Sequence, residues 1–408
     1  MLAIPIFPLP LSGPRRLNFT VRELSGGHDR RRFVRTAANV YRGDRYWAPG
    51  IISERLRSLD PKKNPGLAHI QLGLFAAESR TMEERIGAIA VWAGEPAGAI
   101  RAASRVAFFG MFEVINEEEV AGSLFEAAQA WALEHLPEAG GLRGPMELDP
   151  FRSPGLLVDG FNHRPGAFMP YSLPYYPELI ETAGYQPATE LLAYRVDLSA
   201  FRDAYGGAAR LHAEAEPVRA GRVLAVRDLE RRADWRAILP EAEEGPPRLT
   251  WRVGPESPAL TTSELLLHLK WVTAQHPAAT ILAVCTGEDG DAIAFGVAVP
   301  NTRQPALAAL GTRVVSRWIG RSQEGNRMAS RSARKAGIRL MPAIVRTDCL
   351  DWGLEAPILY ELLSRAARQG YTTAELSPVP AGDPAAGDRL AALGASPSKT
   401  YAIYEKRF

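Results

Sequence analysis

The chemistry most easily read from this chain is anion binding. Arg313, Arg317, Arg321, Arg327, Arg331, Arg334, Lys335 and Arg339 fall in one stretch whose only acid is Glu324. Two readings are open for it: a solvated face, or a site for phosphate groups, with Trp318 and Met328 giving apolar footing at a membrane surface. A little downstream, TDCLDWGLEA (Thr347–Ala356) places Gly353 at the start of a helical run. A glycine there lets a phosphate oxygen approach a main-chain N–H, because no Cβ stands in the way. Asp348 and Asp351 oppose that use by charge. Tyr175 and Tyr176 stand between prolines in MPYSLPYYPEL, either as packing that fixes the entry to a helix or as ligand contacts. His69, beside a strand, can be packed, exposed or catalytic.

Bulk composition bounds these options. The chain has 408 residues, enough for two domains, with 46% hydrophobic and 23% charged residues. Its formal charge of +2 gives no global attraction to nucleic acid or anionic lipid. The basic stretch has no interleaved aromatic beyond Trp318, so no nucleic-acid partner is expected. The two cysteines are far apart and no Cys/His pair has metal-ligand spacing, so the chain is expected to be reduced, cytoplasmic and without a metal. No apolar run is long enough to span a membrane. Residues 1–16, MLAIPIFPLPLSGPRR, read as a loose tail: proline-rich, with arginines after the apolar run instead of before it.

The elements that would position these residues occur twice. Hairpin patterns cover Leu72 to Val91 and Ile281 to Val299. Each is followed by a strand (Val106–Val114; Arg339–Arg346), an amphipathic helix, a short strand (GLRGPM; TTAELSPV), and a last helix and strand. The last helices end at Gly184 and Gly394; each glycine is followed by a proline three residues on, Pro187 or Pro397, and a tyrosine ten residues on, Tyr194 or Tyr404. This predicts two homologous mixed α/β domains at 17–200 and 220–408, joined by a linker at 201–219.

That order resembles the GNAT (GCN5-related N-acetyltransferase) fold. The strings VYRGDRYWAPGIISERLRSLDPKKNPGLAHI, FFGMFEVINEEEVAGSLFEAAQAW, MPYSLPYYPELIETAGY, LYELLSRAARQGYTTAELS and KTYAIYEKRF resemble a bacterial family of two-lobed GNAT-like, acyltransferase-like proteins, some of which resemble bacterial enzymes that N-acylate a long-chain amine to make ceramide. Gln71 stands where that family tends to carry glutamate, and Trp92 lies near its strand asparagine. The resemblance implies a tandem GNAT fold and an acetyl-CoA or longer acyl-CoA cofactor. It also implies transfer of the acyl group to a small-molecule or lipid amine, with peripheral membrane contact in the lipid case. A catalytically silent binding or scaffold protein is the alternative. GNAT enzymes bind CoA where the central strand splays from its neighbour, with the pyrophosphate on the next helix. Carried onto this chain, Leu350, Asp351, Trp352, Gly353 and Leu354, with Arg331 and Arg334, would hold the cofactor in the second half. In the first half, Glu117, Glu118 and Glu119 at the helix start repel it. GNAT enzymes also need a base and often a tyrosine before the last glycine. PELIETAG and DRLAALG have none there, so the candidates are Tyr175, Tyr176, Tyr404 and His69.

Overall fold

The computed structural model describes residues 17–47, 52–64, 66–67, 70–81, 84–94, 106–201, 225–228, 250–253, 259–275, 281–286, 292–301 and 337–408. The N-terminal tail, His69, the linker beyond Phe201, and the basic stretch up to Arg334 and Lys335 lie outside these.

In the first half, β1 (Phe19–Glu23) is followed by α1 (Gly26–Val40) and α2 (Ile52–Ser58). The hairpin β2 (Gln71–Ser79) and β3 (Arg85–Ala93) leads to β4 (Ala107–Val114) and α3 (Glu118–His135). Next come β5 (Gly141–Gly144), β6 (Leu156–Asp159), α4 (Tyr176–Thr182), β7 (Gln186–Asp197) and α5 (Leu198–Phe201). The second half contributes β8 (Ala225–Asp228), β9 (Thr250–Val253), β10 (Ala259–Thr261), α6 (Thr262–Gln275), and the hairpin β11 (Ile281–Thr286) and β12 (Ala292–Pro300). Its central strand is β13 (Ile338–Leu340) with β14 (Ile344–Arg346), followed by α7 (Glu355–Arg368) and β15 (Thr373–Glu375). β16 (Val379–Pro380), α8 (Pro384–Ala392) and β17 (Ala395–Arg407) close the chain.

Strand pairing gives a continuous sheet with an internal near-symmetry. From one edge it runs β1, β2, β3, β4, β5, β17, β7, β15, β13, β12, β11, β8. The central strand is parallel to its inner neighbour in both halves, β4 to β5 and β13 to β15. All the other pairs in that run are antiparallel. Both central strands separate from that neighbour after two residue pairs: Ala107↔Leu142 and Phe108↔Arg143, then Ile338↔Ala374 and Arg339↔Glu375. Each half therefore has the expected splay.

The paired endings find their explanation here. β7 and β17 lie antiparallel, with Pro187 opposite Tyr404 and Pro397 opposite Tyr194. Each proline meets the other copy's tyrosine. The helices before them end on glycines in the left-handed region, Gly184 at φ 87° and Gly394 at φ 76°, which costs a glycine little. Each strand also pairs with the other half's short parallel strand, β17 with β5 and β7 with β15. The cores follow this exchange. Tyr194, Val196, Leu198 and Phe201 pack among second-half residues such as Cys285, Leu340 and Leu362. Ala402 and Tyr404 pack among first-half residues such as Phe109, Leu124 and Ile180.

Ions tie the outer part of the first half. Glu78 on β2 accepts from Arg22 and Arg85, and Asp29 on α1 accepts from the same two guanidiniums. Hydrogen bonds from Arg22 and Arg85 pull the Glu78 carboxyl down from 4.5 to about 2, against the cost of its partial burial. A depressed folded value stabilises above 4.5 and is lost as pH falls toward 2, a contribution that solvent screening around the half-exposed Arg22 keeps small. Acid unfolding followed by circular dichroism should show a limb between those values in the wild type. The limb should be flattened in Glu78→Gln.

Candidate functional site

The two splays differ in what occupies them. In the first half, β4 carries a bulge: the β3 register shifts between Ala88 and Ala90, and Met111 sits at φ 46°. Ala107 and Phe109 face the core before the bulge, and Phe112 and Val114 face it afterwards. One extra residue has changed the parity of the strand. Glu113, which an unbroken alternation would send into the core with Phe109, is turned to the other side. It lies under the aromatic entry to α4, where the Tyr176 hydroxyl is 3.3 Å from its Oε2. Loss of solvent pushes the Glu113 carboxyl up to about 7, opposed by the hydroxyls of Tyr41 and Tyr176 and by Arg55. Glu147, held by Arg55 at 2.6 Å, adds to the rise.

Tyr175 and Tyr176 are brought to this carboxylate. The Val114 N–H donates to the Tyr176 hydroxyl at 3.0 Å, and the Tyr175 hydroxyl donates to the Val114 carbonyl at 2.8 Å. Their rings continue a stack: Trp47 on Tyr41 at 5.2 Å, Tyr41 on Tyr176 at 6.4 Å, Tyr176 on Tyr175 at 5.0 Å. Pro177 in the first turn of α4 fixes the direction of that entry. Tyr171 reaches Asp44 with its hydroxyl at 3.0 Å, and the Tyr41 hydroxyl donates to the Tyr171 carbonyl. Tyr404 is not part of this group. Its hydroxyl donates to Glu181 on the far side of α4 at 3.1 Å.

In the second half, Thr347–Trp352 form a 3₁₀ turn ending at Gly353, φ 68°. Leu354 is buried, and Leu350 and Trp352 pack against the core. Asp348 is paired with Arg346 at 2.7 Å, while Asp351 is exposed. The edge of β14 beside this turn is taken by β9, with Ile344 opposite Val253 and Arg346 opposite Trp251.

These arrangements bear on the CoA that the fold implies. An extended arm in a splay needs free main-chain groups on the central strand. In the second half, β12 and β9 flank β14. In the first half, the Val114 N–H and C=O carry tyrosine hydroxyls. Those two hydroxyls supply one acceptor and one donor, the complement of a single amide group. The first splay thus has the groups for an amide-bearing arm but holds its own side chains on them, and Glu117–Glu119 still stand at the helix start. As it stands, neither half fits CoA laid along its central strand.

Sequence reading missed Glu113, although it is the one carboxylate within the apolar run AFFGMFEV. Among the described residues, no group of three or more His, Cys, Asp or Glu side chains could hold a metal. No helix among them is long and apolar enough to cross a membrane.

No protein-family model matches the chain. Protein YghO of Escherichia coli is 26% identical over 423 residues, covering 99% of each chain. The bacterial ceramide synthase of Caulobacter vibrioides is 27% identical over 380 residues, covering 92% of this chain and 94% of that one. Among solved structures, a GCN5-related glucosamine N-acetyltransferase region of a fungal multi-domain β-N-acetylglucosaminidase superposes with a TM-score of 0.51 at 12% identity, over 96% of this chain and 38% of that one. The repeated hairpin, splayed central strand and following helix are thus two GNAT units sharing one sheet, and the chain is a tandem GNAT-fold protein similar over nearly its whole length to these two bacterial proteins.

Proposed function

We propose that the chain is an N-acyltransferase in which Glu113 takes the proton from an amine acceptor. The single observation that carries this reading is the placing of Glu113, a carboxyl at the end of a central strand with the Tyr176 hydroxyl 3.3 Å from its Oε2, where loss of solvent raises it to about 7. An amine arrives as an ammonium ion and must lose a proton before its lone pair can attack. A base titrating near the working pH does this best. Tyr176, hydrogen-bonded to Glu113, orients it. An acetyl-CoA or longer acyl-CoA, if held, would supply the acyl group as a carbonyl activated by a thioester. Tyr175 and Tyr176 would have to leave Val114 before a donor arm could lie there. The second-half stretch Leu350–Leu354, with Arg331 and Arg334, is the other candidate holder of the cofactor. The likeness to bacterial ceramide synthase supports a long-chain lipid amine as acceptor, met at a membrane surface. The division into units at 17–200 and 220–408 belongs to the same proposal.

A second reading is favoured by one observation: both splays are filled by the chain itself. On that reading the protein is a catalytically silent GNAT-like scaffold.

Incubation with acetyl-CoA and with long-chain acyl-CoA, together with simple and long-chain amines, separates the two. Acceptor-dependent release of free thiol and an acylated amine by mass spectrometry are expected, with loss of both in Glu113→Gln. Gly353→Val, strained at a positive φ, should weaken donor affinity if the second half holds the cofactor. It should leave affinity unchanged if the first half does. Absence of transfer with every donor, and no rise in melting temperature with any of them, would leave the scaffold reading.

A further inference from the structure

The outer face of α1 carries arginines and no acid. On the inner side, Phe33 packs with Leu74, Ala76 and Ala88 of the β2–β3 hairpin, and Thr36 and Tyr41 are buried. On the other side, Arg31, Arg35 and Ala38 are exposed, and Arg42 just past the helix end continues their line. Spacings of four, three and four residues keep them in one row, about 16 Å long. Arg45 lies just beyond, exposed, with its guanidinium over the Tyr46 ring at 4.6 Å.

This charge is not neutralised from nearby. Residues 26–47 hold six arginines and two aspartates, whereas the whole chain has a formal charge of only +2. Asp29 is bound by Arg22 and Arg85. Asp44 accepts the Tyr46 and Trp47 N–H groups and the Tyr171 hydroxyl. From neighbouring elements, Glu78 reaches Arg22, Arg32 and Arg85, and Glu84 pairs with Arg42 at 3.1 Å. The adjoining Arg22, Arg85, Lys62 and Lys63 equal in number the adjoining Glu23, Asp60, Glu78 and Glu84, so the excess on α1 stands. Arg31, Arg35 and Arg45 have no ion pair among the described residues.

The row ends at the candidate site. Arg42 follows Tyr41, whose ring stacks with Trp47 on one contact and Tyr176 on another, and the Tyr176 hydroxyl is 3.3 Å from Glu113. Trp47 is partly exposed beside Arg45. Guanidiniums pair with lipid phosphates, and an indole favours the headgroup level of a bilayer. We propose that the arginine face of α1, with Arg45 and Trp47 at its end, docks on an anionic phospholipid surface and so brings the Trp47–Tyr41–Tyr176 stack to the headgroups. A flat field of phosphates meets a straight row of guanidiniums without further demands on shape. A single-stranded nucleic acid needs free rings to stack on, and here Tyr46 carries Arg45 while Trp47 lies on Tyr41. The inference deepens the reading of a lipid amine met at a membrane and takes its purpose from that reading; the binding itself needs no turnover.

Flotation with vesicles tests it, using the full chain and no acyl donor. Vesicles of phosphatidylcholine alone are compared with vesicles containing about one-third phosphatidylglycerol. Binding to the second kind only is expected, with release as added salt screens the surface. An arginine near an anionic surface contributes about fivefold to binding, so Arg31→Glu with Arg35→Glu should weaken it about 25-fold or more. Both side chains are exposed, so the melting temperature should not change. Arg195→Glu with Arg407→Glu, the same change of charge at exposed positions on β7 and β17, should bind as the wild type does. Four results overturn the surface: no binding to phosphatidylglycerol vesicles, equal loss in both pairs, loss confined to Arg331→Glu with Arg334→Glu, or tighter binding per phosphate to a DNA duplex at the same salt. Failure to float removes this surface and leaves acyl transfer to its own assay. Flotation of a chain without turnover keeps the surface and removes the reaction.

Discussion

Glu113→Gln should lower kcat/KM for acyl transfer by about 10²–10⁴, the range for loss of a general base. In the wild type, kcat/KM should rise with pH and level off above about 7, where the carboxylate forms. The same residue has a stability signature that does not depend on turnover. Its folded value is raised from 4.5 to about 7, so the native state holds the proton more tightly than the unfolded chain does. Below 4.5 both states are protonated and nothing is lost. As pH rises from 4.5 through 7 the native state loses stability, by up to about 3 kcal/mol, and the loss is complete above 7. Denaturant melts at pH 5 and pH 8 should therefore show Glu113→Gln gaining on the wild type at the higher pH. A rate profile flat between pH 5 and 8, with equal melts for the two proteins at pH 8, would remove Glu113 from the role of base. Stabilisation without any turnover in the wild type would leave a buried acid in a silent fold.

Much of the fold was legible because its signals are local. Apolar alternation placed the hairpins β2–β3 and β11–β12, and the amphipathic runs announced α3 and α7. The interruption of the second central strand was missed, since Arg339–Arg346 reads as one run. Pro342 lies in the gap between β13 and β14 and has no N–H to give a ladder. The candidate site was legible in part. Tyr175 and Tyr176 stood out by their prolines, but what they touch is Val114, some sixty residues earlier. Glu113 was hidden by the bulge at Met111: alternation counted from Phe109 puts residue 113 on the core face, and only a parity change turns it out. His268 looks in sequence like any histidine in an apolar helix. Its place beside Asp149 of the first half depends on how the halves dock, which no single-element pattern carries. The matched glycine, proline and tyrosine of the two endings did announce a duplication. The pairing of each proline with the other copy's tyrosine needed the sheet.

That pairing leads to the expectation that neither half folds alone. A first half of residues 17–201 would keep β5 and β7 but lose β17, the strand between them. Two rows of main-chain donors and acceptors would open, and the apolar face around Phe109, Leu124 and Ile180 would lose Ala402 and Tyr404. An unpaired, apolar edge of this kind favours association over folding. The second half would lose β7 with Tyr194 and Val196, and with them Leu198 and Phe201 of α5, from its own core. Ionic contacts reinforce the exchange: Lys399 on β17 binds Glu375 on β15 at 2.6 Å and the Arg164 carbonyl of the first half at 3.0 Å. Residues 17–201 expressed alone should therefore lack a cooperative melt and bind a hydrophobic dye. Fusion of residues 395–407 through a flexible linker should restore the melt. In the full chain, Tyr404→Ala removes a buried ring and its bond to Glu181 and should cost about 3–5 kcal/mol, by analogy with other large aromatic truncations. A cooperative melt for residues 17–201 without the added strand would show that the shared pair joins two domains already stable. If the melt is absent, the sheet that holds Glu113 under α4 and the helix that brings His268 to Asp149 are one folding unit, because neither can form its core before β7 and β17 have met.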